Sequence, residues 1–218
     1  MNQKYKAIFL DFDGTLTDDK TNIMRENPND LLDFLNKKRL FSAFATGKGL
    51  YYIKDLLKDS PKLLNNYFIL YDGSLIINPL TSKVFFSRPI DESILPGICS
   101  KLSNVTRNFY LNRLDGLFSE KNNLSPDSSL FRFWKPGLYY DDVYQIYIRD
   151  IQESKVGDVE LCLRDADISF YKFGSRRKGV SILAFAKGCN KATAIKNILA
   201  EIHILESQAI IVGDGKTI

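Results

Sequence analysis

The sequence predicts an α/β protein, a parallel-sheet core with helices, into which an α+β unit is inserted. Three observations predict it. Short apolar runs alternate with helix-spaced segments up to Tyr71 in β-α-β-α-β order, which implies parallel strands joined by right-handed crossovers. From Asp72 the pattern changes to a hairpin and a series of short strands. A helix and a buried strand of the first kind then return near the end of the chain.

The elements follow in order. Residues 7–10 are a continuous apolar run that stops at an acid, as a buried parallel strand does. Residues 28–39 place Leu31, Leu32, Phe34 and Leu35 at helical spacing. Residues 41–45 repeat the buried-strand pattern and run into Thr46-Gly47. Residues 50–57 read as a helix with Ser60-Pro61 as its stop, and 66–71 as a third strand. Asn78-Pro79 lies between runs 73–77 and 83–87, the pattern of a β-hairpin. After Arg88-Pro89 come a helix over 92–102 and short strands at 107–111, 117–120 and 130–133. Residues 143–148 alternate like a half-buried strand, and a helix follows over 154–163. Strands at 168–173 and 180–185, joined by the basic turn 174–179, complete an α+β unit with an antiparallel sheet. Asn190 can cap a helix over 191–202 that gathers Ala194, Ile195, Ile198 and Ile202 on one face. Residues 209–212 form a fourth buried strand, ending at Gly213-Asp214-Gly215.

Composition removes several function classes. The chain has 218 residues, 44% of them hydrophobic and 26% charged, a balance that excludes disordered and collagen-like chains. The formal net charge of +4 is too small to point to nucleic acid. No run of about 18 apolar residues occurs, so no membrane insertion is expected. The N-terminal MNQKYKAIFLDFDG does not read as a signal peptide, which favours the cytoplasm and leaves open export by a signal-less secretion route. Cys99, Cys162 and Cys189 are widely spaced and read as reduced thiols rather than a zinc site or disulfide framework. A single histidine, His203, argues against a His-rich metal site. The chemistry is therefore expected to rest on carboxylates, lysines and backbone amides.

The string Asp11-Phe12-Asp13-Gly14-Thr15-Leu16-Thr17 lies where ligands bind in an open α/β sheet, beyond the carboxyl end of the first strand. Acids two residues apart on a strand address the same side, and such close like charges need a cation to offset them. Gly14 lets the backbone turn and expose amide donors. This pattern suits an aspartate nucleophile, an acid/base partner and a hard, oxygen-ligated cation. Thr46-Gly47 alone is compatible with a simple turn. Lys191 opens a helix, where a cation is unfavourable unless an anion offsets it. A solvated lysine is the alternative, and Lys187 is a nearby competitor.

Together these strings resemble the haloacid-dehalogenase-like (HAD) phosphohydrolases, in particular the Cof-like, sugar-phosphatase-like subgroup with a type-II α/β cap. DFDGTLT resembles the first motif, Thr46-Gly47 the second, Lys191 the third and Gly213-Asp214-Gly215 the fourth. The resemblance implies a Rossmann-like core of residues 1–87 and 181–218 and a cap of residues 88–180. It implies a Mg²⁺-dependent phosphatase working through an aspartyl-phosphate. Asp11 is the implied nucleophile and Asp13 the acid/base. Phe12, Gly14, Thr46, Gly47 and Lys191 would bind phosphate, and Asp11, Asp13 and Asp214 would hold the metal. Lys48 and Asp72 stand where the subgroup usually has Arg and Asn. With Arg176 and Arg177 they are candidate contacts to substrate or cap. Ile218 stands where a second fourth-motif acid is usual, and the family's last helix and strand are missing. The core is thus expected to be incomplete at its C-terminus.

The implied substrate is a sugar phosphate or another small phosphorylated metabolite. A phosphotyrosine or phosphoprotein substrate, as for a secreted bacterial effector, is the alternative. For it, the clusters Arg176-Arg177-Lys178 and Phe131, Phe133 and Trp134 could form a docking surface, or equally a solvated turn and a cap core. A catalytically weak binding module on the same fold is a second alternative.

Overall fold

The structure, a computed structural model, describes residues 4–18, 27–58, 60–119, 131–133, 140–174 and 179–213. The chain forms two compact units, residues 1–87 with 190–218 and residues 88–189. The first unit opens with β1 (Ala7–Asp11), α1 (Pro28–Lys38), β2 (Phe41–Ala45), α2 (Leu50–Leu56) and β3 (Tyr67–Leu70). A hairpin of β4 (Leu75–Asn78) and β5 (Lys83–Ser87) follows. The second unit contains α3 (Leu95–Val105), β6 (Phe109–Arg113), β7 (Gly116–Ser119), β8 (Phe131–Phe133) and β9 (Val143–Ile151). It ends with α4 (Glu153–Asp165), β10 (Ser169–Gly174) and β11 (Val180–Phe185). The chain then returns to the first unit as α5 (Lys191–Glu201) and β12 (Ala209–Val212).

The sheet of the first unit has the order β12-β1-β2-β3-β4-β5. Its first four strands are parallel, and the hairpin continues it antiparallel rather than standing apart. Strand alternation sends Ala7 and Phe9 of β1 to the face covered by Ala194, Ile195, Ile198 and Leu199 of α5. Asp11 has the same parity and falls on that side. Phe12 packs its ring against Phe44 and Phe68, at centroid distances of 6.4 and 6.1 Å. Burying one such ring contributes about 2 kcal/mol, so the strand end that carries the acids is firmly anchored. Asn190 caps α5, its side chain accepting the Thr193 N–H at 2.7 Å. His203, just past α5, is exposed and left-handed (φ 55°), the conformation that commonly closes a helix.

The second unit is a sheet of order β10-β11-β9-β6-β7-β8 with α3 and α4 on one face. Two expectations need correction. The division between the units falls at 189/190 rather than 180/181, because β11 pairs with both β9 and β10 and belongs to the second sheet. This sheet is also not wholly antiparallel, since β7 and β8 pair in parallel. Among the described residues no helix is long and apolar enough to cross a membrane. All three cysteines are buried and none forms a disulfide.

Candidate active site

The site is built at the carboxyl end of β1. The Phe12 carbonyl accepts the Leu16 and Thr17 N–H groups at 3.1 and 2.9 Å and the Thr17 hydroxyl at 3.0 Å. These bonds close the turn after the strand. Gly14 takes a positive φ of 76° inside it, as that tight reversal requires. The Phe12 N–H donates to the Ala45 carbonyl at 2.9 Å, so this amide belongs to the sheet.

Asp11 and Asp13 sit in different surroundings. Asp11 is 2% exposed and accepts a charge-assisted hydrogen bond from Lys191 Nζ at 2.7 Å. Lys191 is itself 4% exposed and opens α5, so Asp11 supplies the negative charge that a lysine at a helix N-terminus needs. Of the two lysines considered for this role, Lys187 instead pairs with Asp167 within the second unit, at 2.7 and 2.9 Å. Asp13 is partly exposed. Its Oδ1 pairs with the Lys48 ammonium and its Oδ2 accepts the Thr46 hydroxyl at 2.5 Å. The Thr46 hydroxyl also accepts the Lys48 N–H at 3.0 Å, which fixes its direction.

The loop after β2 is held from below by the turn after β3. Tyr71 N–H donates to the Lys48 carbonyl at 3.3 Å, and Asp72 N–H to the Thr46 carbonyl at 3.4 Å. The buried Tyr71 hydroxyl accepts the Leu50 N–H at 3.1 Å. The Asp72 carboxylate lies against Gly47, where an added Cβ would stand 3.0 Å from Oδ2. Of the residues to which the sequence points, the structure pairs Asp11 with Lys191, Asp13 with Thr46 and Lys48, and sets Asp72 against Gly47. The sequence assigns no site role to Tyr71 or to Tyr52, whose ring lies 4.6 Å from the Lys48 ammonium. The four-residue spacing of Lys48 and Tyr52 around the helix start is the one signal that could have found that contact.

The donor chemistry fits a hard divalent cation. Asp11 and Asp13 offer only oxygen, and the one histidine lies beyond the far end of α5. Among the described residues no group of three or more His, Cys, Asp or Glu is placed to hold a metal. Asp214, the expected third ligand, lies outside the described residues, as do Ile218, Arg176, Arg177, Lys178, Trp134 and the side chains of Phe131 and Phe133.

With this geometry in hand, the chain can be set beside known proteins. A family model described as haloacid dehalogenase-like hydrolase matches residues 8–217. A haloacid dehalogenase-like hydrolase from Bacteroides thetaiotaomicron has a similar structure, with TM-score 0.79 and 21% identity over 98% of this chain and 83% of that one. Another from B. subtilis matches with TM-score 0.76 and 17% identity over 96% and 83%. A second Bacteroides thetaiotaomicron protein, described among phosphatases of the haloalkanoate (HAD) enzyme superfamily, matches with TM-score 0.77 and 15% identity over 99% and 80%. Among curated proteins, none matches the chain by sequence.

Proposed function

The chain belongs to the haloacid dehalogenase-like hydrolases, and from that premise we propose that it is a Mg²⁺-dependent phosphatase that hydrolyses a phosphomonoester through an aspartyl-phosphate. The observation that carries this reading is the unequal setting of two neighbouring acids. Asp11 is buried against the Lys191 ammonium, which favours its charged, nucleophilic form. Asp13 is within reach of water and is held by Thr46 and Lys48. Two carboxylates in two environments can divide nucleophilic and acid/base work.

In the first step an Asp11 oxygen attacks phosphorus in line, and the bond from phosphorus to the leaving oxygen breaks. Asp13 gives that oxygen its proton. In the second step Asp13 takes a proton from water, whose oxygen attacks the aspartyl-phosphate and returns Asp11 and inorganic phosphate. Thr46, Lys191 and the amides around Gly14 and Gly47 stabilise charge on the transferring oxygens. Mg²⁺, held by the Asp11 and Asp214 carboxylates and the Asp13 backbone carbonyl, would supply further neutralisation of that charge. The proposed substrate class is a small phosphorylated metabolite, a sugar phosphate first. The undisulfided cysteines support a reducing, cytoplasmic setting.

The test is phosphate release from a panel of sugar phosphates, other small phosphomonoesters and phosphotyrosine peptides, with Mg²⁺ and with EDTA. Turnover is expected with Mg²⁺, preferring the small metabolites, and should vanish in EDTA. Mg²⁺ binding with no turnover on any phosphomonoester would favour a binding module instead.

Lys48 gives a second expected result. Its side chain and that of Asp13 are 22% and 34% exposed, so the pair adds no more than about 1 kcal/mol to stability. A Lys48→Met change should leave the thermal midpoint nearly unmoved. It should still lower kcat/KM by roughly ten- to a hundredfold, because Asp13 loses one of its two anchors. Steady-state kinetics beside a melting curve would separate the two effects.

A further inference from the structure

The turn after β3 holds three consecutive residues at positive φ: Tyr71 at 50°, Asp72 at 54° and Gly73 at 99°. Two of the three are not glycine, a conformation that persists only where surrounding contacts enforce it. The contacts are specific. Tyr71 is completely buried and hydrogen-bonded to Lys48 and Leu50 through its N–H and hydroxyl. Gly73 lies so close to α5 that a Cβ there would stand 2.4 Å from the Asn190 carbonyl oxygen. Between them Asp72 is 5% exposed, with its carboxylate pinned against Gly47.

The loop Thr46-Gly47-Lys48 is therefore approached by two carboxylates, Asp13 through the side chains and Asp72 against the backbone. A phosphate dianion taken up by this loop would meet the charge of Asp72 from a fixed direction. We infer that Asp72 limits affinity: its charge opposes the bound phosphate group, weakening both substrate binding and retention of the phosphate product. This role rests on the phosphatase reading of the site. It assigns Asp72 no contact with the reacting atoms. Whatever cation Asp72 engages, removing its charge acts in the same direction, since that cation becomes available to the phosphate.

The experiment compares the parent chain with Asp72→Asn and Asp72→Gly, both residue types that tolerate a left-handed backbone. Inorganic phosphate is the probe, read as its competitive inhibition constant together with KM for a small phosphomonoester. Both constants should fall about tenfold in both variants, the scale expected of one unit charge beside a partly solvated anion site. A purely structural role predicts the reverse, weaker binding as the loop loosens, with a greater loss in the smaller glycine variant. Melting curves identify which variants are folded. Unchanged or weaker phosphate binding in a folded variant, with a parent that phosphate inhibits, overturns the role of Asp72 alone. A parent that neither hydrolyses phosphomonoesters nor binds phosphate overturns the phosphatase reading and this inference with it.

Discussion

An Asp11→Asn variant is expected to lose phosphatase turnover by a factor on the order of 10⁴ or more, the scale seen when a covalent nucleophile is removed. The amide has nearly the shape of the carboxylate but cannot attack phosphorus. The change also touches stability, because Lys191 would keep its buried position with a neutral oxygen in place of a charged one. A loss of about 1–3 kcal/mol is expected from that weakened bond, with the fold retained. Turnover with Mg²⁺ and a melting curve on the same preparation check both. Full activity in folded Asp11→Asn would show that Asp11 is not the nucleophile.

The second large effect is expected at the other end of that ion pair. Lys191→Met leaves the Asp11 carboxylate, 2% exposed, without its ammonium. Breaking a buried pair from one side typically costs about 3–5 kcal/mol, because the remaining charge stays out of water. The same change removes charge stabilisation at the transferring phosphoryl group, worth a further roughly 10²–10³ in kcat. Urea unfolding and steady-state kinetics would read the two losses. A double variant, Asp11→Asn with Lys191→Met, has neither charge and should be more stable than Lys191→Met alone while remaining inactive. If the double variant is no more stable than Lys191→Met, the pair is not the source of the loss.

Much of the fold is legible in local pattern. β2, β11 and β12 occupy the residues that apolar runs predict, and α5 begins at Lys191, directly after its asparagine cap. Strand edges elsewhere shift by a few residues, because pairing partners, not composition, decide where a ladder stops. β9 runs on to Ile151, three residues past the end of its alternating pattern, because β11 pairs with it as far as Ile151. The strand pair at 168–173 and 180–185 was legible and is observed as β10 and β11. Yet the expected bound at 180/181 cut across that pair, because only the further pairing of β11 with β9 ties the strand into the middle of the second sheet.

At the site, residue types were readable and their partners were not. A seven-residue string can mark Asp11 and Asp13 as acids after a strand, since strand parity alone sets them on a common side. It cannot say that one is buried against Lys191, 180 positions away, and the other is held by Thr46 and Lys48. Those distances depend on how α5 and the β2 loop are stacked against β1. The Phe12 amide shows the same limit, because its donation to Ala45 exists only once β1 and β2 are side by side. By itself the sequence determined the fold class and the chemical types gathered beyond β1, because periodicity, turn residues and motif spacing act over short stretches of chain. Only the tertiary structure decided which acid is buried, which lysine serves it, and that Tyr71 and Asp72 underlie the second loop. Burial and charge pairing arise between segments whose separation in sequence carries no record of their approach in space.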